Sequence, residues 1–258
     1  MNPHWRARYE VAVEAARQAG QLALRYFAGE LVVEQKADLS PVTVADREAE
    51  QLLRRTLHAA FPDDGFLGEE FGDTPGSSGY RWVLDPIDGT RSFVRGIPLW
   101  GTLVGLEHNG EQIAGVAEMA TLGHTWRALR GDGAYRDDRR IHVSPVSDLS
   151  QALVFYSGLS WFVEAGREGD FLRLIRHTDR QRGFGDFYGF MLVAQGSGEL
   201  MVEYGVHPWD VVALRPIVEE AGGRFSDWDG VPTIDRPDVV VSNGRLHDAA
   251  LAVLNGRD

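Results

Sequence analysis

The segment RWVLDPIDGTRSFVRGIPLWGTL, residues 81–103, forces an apolar run to stop in a turn and then start again. Trp82, Val83 and Leu84 read as a strand, and the Pro and Gly that follow break it. Around that break stand two carboxylates, Asp85 and Asp88, then Gly89 and the Thr90 hydroxyl. Asp-Pro and Asp-Gly both favour turns, yet two acids three apart at the end of an apolar strand exceed what a turn needs.

The rest of the chain alternates strands with helices. LWGTLVGLEHNGEQIAGVAEMA reads as two strands joined at His108-Asn109-Gly110, because Asn-Gly between apolar runs is the strongest short hairpin signal. Near the start, Val13, Ala16, Ala23, Leu24 and Phe27 recur at helical spacing, with Gly29 as the stop. FGDTPGSSGY, residues 71–80, reads as a loop, and SQALVFYSG as a strand rather than a helix begun near Ser147 or Asp148. FYGFMLVAQGSGELMVEY gives a helix, a glycine turn and a strand. PWDVVALRPIVEEAGGRF gives a helix opened by Asp210 and closed by Gly222-Gly223, DVVVSN a buried strand, and GRLHDAALAVLNG a last helix. This order predicts a layered α/β architecture with a boundary near residue 145, an N-terminal lobe over 1–145 and a C-terminal lobe over 146–258.

Composition narrows the function. No apolar run approaches the roughly 20 residues of a membrane span, and the N-terminus lacks a secretory pattern. The absence of cysteine rules out disulfides, thiol nucleophiles and thiolate metal sites, and suits a cytoplasmic protein. A formal net charge of −12 argues against nucleic acid as a partner. It also poses a difficulty for any phosphate substrate, which clustered carboxylates repel unless cations intervene.

Acids stand next to turn residues at Asp46, Glu69-Glu70, Asp85 with Asp88, and Asp210. Hard divalent cations such as Mg²⁺ prefer carboxylate and carbonyl oxygens, whereas the eight histidines show no zinc-ligand spacing. Residue type alone leaves structural readings open: Asp210 as an N-cap, Asp46 as a cap or flank of the helix REAEQLLRRTLHAAF, and Glu69-Glu70 as solvated charge. The DPIDGT segment unifies them. Asp85 and Asp88 can face one cation, Gly89 lets backbone approach a phosphate, and the following amides with the Thr90 hydroxyl can donate to its oxygens.

Four blocks carry a family resemblance: KADLSPVTVAD (36–46), FLGEE (66–70), WVLDPIDGTRSFVRGIP (82–98) and GVHPWDVVALRPIVEEAGG (205–223). In this order and spacing the chain resembles the Mg²⁺-dependent phosphomonoesterases of the inositol monophosphatase superfamily. The resemblance implies an αβαβα sandwich, a homodimer, and two or three Mg²⁺ ions held by Glu69, Asp85, the Ile87 carbonyl, Asp88 and Asp210. It further implies that Gly89 and Thr90 hold phosphate through backbone amides, that Asp46 hydrogen-bonds Thr90, and that Thr90 with Glu69 positions the attacking water. Glu70 matches a second acidic position in outer support, and Lys36 the lysine preceding SPVT; Lys36 also reads as a solvated charge.

Within the superfamily, DGTRSFVRGIPLWGTLVGL and Gly185-Asp186 are most similar to the histidinol-phosphate phosphatase branch, with Arg91 where inositol enzymes carry Asn. An ammonium-bearing phosphate monoester would suit acids at Asp186 and Glu203, because charge-assisted hydrogen bonds are about twice as strong as neutral ones. Asp88 and Asp210 would border the same substrate. The same acids also suit sugar hydroxyls, which keeps inositol and sugar phosphates as alternatives, and Asp186 also reads as a plain helix N-cap. A metal-dependent binding protein without turnover is the remaining class, and it sits poorly with the presence of Thr90 and Glu69.

Overall fold

The structure, a computed structural model, describes residues 2–29, 33–35 and 41–257. Lys36 lies outside the described residues. In chain order the first half contains α1 (Pro3–Phe27), β1 (Val33–Gln35), β2 (Pro41–Thr43), α2 (Val44–Ala60), β3 (Gly65–Gly68), β4 (Gly72–Thr74) and β5 (Tyr80–Asp88). There follow α3 (Thr90–Phe93), β6 (Gly101–His108), β7 (Glu111–Met119), β8 (His124–Leu129), β9 (Gly133–Arg136) and β10 (Arg139–Arg140). The second half holds β11 (Leu153–Phe155), α4 (Leu159–Glu164), α5 (Glu168–Arg176), β12 (Arg180–Arg182), α6 (Asp186–Ala194) and β13 (Leu200–Tyr204). It ends with α7 (Pro208–Val211), α8 (Leu214–Glu220), β14 (Arg224–Ser226), β15 (Asp238–Ser242) and α9 (His247–Leu254).

Besides an antiparallel β1–β2 pair, two larger sheets result, an eight-stranded one ordered β10-β9-β8-β7-β6-β5-β3-β4 and a five-stranded one ordered β12-β11-β13-β15-β14. Their central strands look continuously apolar because both faces are buried, while the edge strands β4, β10 and β12 are polar and largely exposed. In the first sheet Trp82, Leu84, Val104 and Val116 face α1 and α2, while Leu103, Ala117 and Trp126 face a middle layer built by α6 and α8. In the second, Phe155, Met201 and Val241 face that same middle layer, and Val154, Leu200 and Val240 face α4, α5 and α9. The layers therefore run αβαβα, as the family resemblance implies. No helix among the described residues is long and apolar enough to cross a membrane.

Several local expectations are met and some shift. Asn109 and Gly110 close the β6–β7 hairpin, both in the left-handed region. α1 ends at Phe27, capped by Ala28, just before Gly29. A single 3₁₀ turn, Leu149–Gln151, precedes β11, so SQALVFYSG supplies both a turn and the expected strand. The stretch 71–80 is not all loop, since Gly72–Thr74 forms an exposed edge strand antiparallel to β3. The single helix expected from Asp210 to Gly222-Gly223 is two, α7 and α8, and the first opens two residues earlier at Pro208, whose fixed φ and missing N–H suit a first helical position. Asp210 still serves that start, its Oδ2 accepting from the His207 amide at 2.7 Å.

Candidate active site

Along a regular strand, residues three apart point to opposite faces. Asp85 and Asp88 escape this rule because β5 slips against β6: Asp85 pairs with Leu103 but Asp88 with Gly101, three steps against two. The extra residue is a β-bulge at Pro86-Ile87, where the Thr102 hydroxyl donates to the Pro86 carbonyl at 2.8 Å. The proline fits there because it has no amide to give the ladder. Both carboxylates thereby turn to one side, and the Ile87 amide donates to Asp85 Oδ1 at 3.1 Å.

Beneath the turn, the buried Ile87 side chain joins Phe93, Trp100, Ala23 and Ala45 in a small core of its own. Phe93 and Trp100 meet edge to face, centroids 4.9 Å apart, and Phe27 closes the cluster. Gly89 then adopts φ 87 and starts α3, accepting from Ser92 and Phe93 amides. A methyl group there would stand 3.0 Å from both the Leu99 carbonyl and Asp186 Oδ2. Only glycine fits both the left-handed backbone and the close approach of Asp186.

The other acids arrive from separate elements. Glu69 follows β3 directly, its amide bonded to the Leu84 carbonyl of β5 at 3.2 Å. Asp210 is carried by α7, and the α7–α8 junction lies so close on the first sheet that a methyl on Gly115 would fall inside the Ala213 carbonyl. Asp46 sits in the first turn of α2, which starts at Val44, earlier than the expected Arg47. Its Oδ2 accepts from the Thr43 amide and hydroxyl, a capping box, and its Oδ1 lies 3.4 Å from Thr90 Oγ1. Asp46 thus caps its helix and contacts Thr90 with its two oxygens. Glu70 donates its amide to Glu50 Oε2 at 2.8 Å, and its charge adds to burial in raising the Asp46 carboxyl to about 6.

From the second half, Asp186 opens α6 at φ 54, a left-handed conformation that a non-glycine residue rarely adopts. Gly185 takes the cap position, so Asp186 is no N-cap, and the adjacent Phe187 amide donates to Asp88 Oδ2 at 2.5 Å. Glu203, on β13, accepts from Ser157 Oγ at 2.6 Å and from the Tyr204 amide at 3.2 Å with one oxygen. Its other oxygen, Oε2, is buried without a hydrogen-bond partner.

A cavity of about 450 Å³ at the junction of the two halves is lined by Glu69, Asp85, Ile87, Asp88, Gly89 and Thr90 from one side and by Asp186, Glu203 and Asp210 from the other. Of the residues expected at the site, Asp46 and Glu70 do not line this cavity, Asp46 standing behind Thr90. The sequence did not point to Ser157, which holds Glu203, or to Trp161, which lines the wall. Both depend on packing between distant elements, and no local pattern marks them.

Electrostatically the cluster is uncompensated. Asp85, Asp88 and Asp210 each bring a carboxylate oxygen to within 4.8 Å of the others. Burial first, then repulsion from Glu69, Asp88 and Asp210, holds the Asp85 carboxyl well above the usual range. Asp88 is raised by burial and by Asp186 and Asp210. Burial pushes Asp186 up to about 6 and Glu203 up to about 8. No lysine or arginine ion pair reaches Asp85 or Asp88 among the described residues. An all-oxygen donor set with unneutralised charge fits hard divalent cations, which would relieve each of these strains.

Residues 4–256 match the inositol monophosphatase family across nearly the whole chain. The chain belongs to the inositol monophosphatase family. This phosphatase is 44% identical over 242 residues to the histidinol-phosphatase of Streptomyces coelicolor, covering 90% of this chain and 91% of that one. It is 35% identical over 251 residues to the inositol-1-monophosphatase of Mesorhizobium japonicum, covering 93% of each. The extragenic suppressor protein SuhB of Bartonella henselae superposes with a TM-score of 0.89 at 30% identity, over 95% of this chain and 97% of that one. Family members of both names thus share the scaffold, and the leaving-group side of the cavity must distinguish them.

Proposed function

We propose that this family member is a Mg²⁺-dependent phosphomonoesterase that hydrolyses histidinol phosphate to histidinol and phosphate. The observation that carries the reading is the pair Asp186 and Glu203: two further carboxylates, the first half-buried and the second buried, stand on the cavity wall beyond those suited to cations, and Glu203 Oε2 lacks any partner. A substrate ammonium there gains charge-assisted hydrogen bonds and returns both groups to their ionised forms. The greater similarity to a histidinol-phosphatase than to an inositol-1-monophosphatase, 44% against 35%, supports the same choice.

In this reading Glu69, Asp85, the Ile87 carbonyl, Asp88 and Asp210 hold two or three Mg²⁺ ions. When bound, the ions supply Lewis-acid polarisation of the phosphate and acidify water. The Gly89 and Thr90 amides orient the phosphate oxygens. Thr90 has one hydroxyl proton and two acceptors in reach, Ile87 O at 3.0 Å and Asp46 Oδ1 at 3.4 Å. With the Ile87 carbonyl engaged elsewhere, that proton goes to Asp46 and leaves the Thr90 oxygen to accept from the attacking water. Glu69 accepts the water's other proton, the general-base role. A homodimer belongs to the same reading, as the family resemblance implies, and so does a cytoplasmic location, which the cysteine-free composition suits.

Phosphate release from histidinol phosphate and inositol 1-phosphate, side by side with Mg²⁺, tests it. The expected result is a kcat/KM about a hundredfold or more in favour of histidinol phosphate. Equal or reversed preference would remove the substrate assignment and leave a polyol-phosphate phosphatase.

A further inference from the structure

The cavity wall also carries an aromatic side chain. Trp161, on α4, lines the cavity and remains 38% exposed; Trp209, the cavity's other tryptophan, is half-buried and stacked on His207, and Phe184, equally exposed, lies outside the lining. Its position is built rather than incidental. The six-membered ring lies on the Gly205 backbone, where an added methyl would stand 3.3 Å from Trp161 Cε3, and Gly205 has φ 87. The other edge of the indole lies over Gly158, where a methyl would stand 3.1 Å from Cδ1. Two glycines therefore make a flat seat for the indole, and side chains there would lift it.

The Arg91 guanidinium stands 5.9 Å from the Trp161 ring centroid and lowers the pKa of Asp186 against the effects of burial and Asp210. A second cation over the same indole would meet repulsion from Arg91, while a neutral flat ring would not. The wall and the acids thus ask for different parts of one molecule.

We propose that Trp161 is a specificity-determining residue that stacks the leaving group's flat heteroaromatic ring, while Asp186 and Glu203 take its ammonium. This rests on the histidinol-phosphate reading, and it assigns the imidazole to a surface of its own. The substrate class is a phosphate monoester of an amino alcohol bearing a neutral five-membered aromatic ring.

The test compares histidinol phosphate with 2-aminopropyl phosphate, which keeps the amine and phosphate but lacks the ring, in the wild type, Trp161→Phe and Trp161→Leu, each with Mg²⁺. The ratio of kcat/KM between the two substrates falls about tenfold in Trp161→Leu, through KM, and is largely restored in Trp161→Phe. Calorimetric titration with histidinol and with 2-amino-1-propanol shows the same loss of ring preference in Trp161→Leu without any turnover. An unchanged ratio in Trp161→Leu, whether both rates hold or both fall, overturns the assignment. Failure of the substrate reading has a different signature: wild type that does not prefer histidinol phosphate to inositol 1-phosphate, whatever Trp161 does.

Discussion

Two buried clusters of charge in this molecule are built on opposite principles. At Asp64, the chain supplies its own counter-charge: Arg8 Nε and Nη2 donate to the two carboxylate oxygens, both at 2.8 Å. Ser78 Oγ and Trp82 Nε1 donate as well, at 2.7 and 3.1 Å, and the guanidinium is sandwiched between Tyr80 and Phe61. At Asp85 and Asp88 the chain instead adds more acid, from Glu69, Asp186 and Asp210. The first cluster is complete without a ligand. The second is arranged so that something positive from outside completes it, and a charge left unpaired in this way lowers stability in exchange for a binding site.

Breaking the complete cluster has the largest expected effect on stability. Arg8→Met keeps the stem between Tyr80 and Phe61 but leaves Asp64 without its cation, and costs about 3–5 kcal/mol in urea unfolding. A loss under 1 kcal/mol would mean that Ser78 and Trp82 suffice, and the contrast between the clusters would weaken.

A third buried group sharpens the comparison by staying neutral. His247 Nε2 meets Ser226 Oγ at 2.8 Å, and Nδ1 meets Ser242 Oγ at 2.9 Å. Ser226 Oγ also donates to the Asp227 carbonyl, so it accepts from Nε2, and both ring nitrogens are served by the uncharged tautomer. Burial, assisted by Arg224, pushes the imidazole down to about 4, against ~6.5 in an unfolded chain. Between those values the unfolded chain binds a proton that the folded chain refuses. Stability contributed by this group is therefore full above about pH 6.5 and falls by about 3 kcal/mol as pH drops to 4. Urea unfolding of His247→Gln should lose this part of the slope, and an identical pH profile would refute it.

The sequence announced the chemistry better than its supports. DPIDGT, Asn109-Gly110 and the alternation of strands and helices are local signals, and local physics decides them: proline ends a ladder, and Asn-Gly closes a hairpin. That Asp85 and Asp88 share a face depends on a register slip against β6, which is a property of two strands together. The left-handed backbone of Asp186 depends on α6 docking against Asp88, and the seat of Trp161 on Gly205, distant in the chain, as well as on the nearby Gly158. The edge strand Gly72–Thr74 was hidden because its pairing with β3 overrides a turn-rich composition.

The claim that the acidic cluster awaits cations is tested most directly by thermal unfolding of the wild type and Asp88→Asn, metal-free and with Mg²⁺. Asparagine keeps an oxygen to accept from the Phe187 amide and removes one repelling charge. The account predicts that Mg²⁺ at a hundred times its Kd stabilises the wild type by about 2.7 kcal/mol, that the variant loses most of this response, and that it is no less stable than the wild type when metal-free. A variant that is less stable without metal yet responds fully to Mg²⁺ would contradict it.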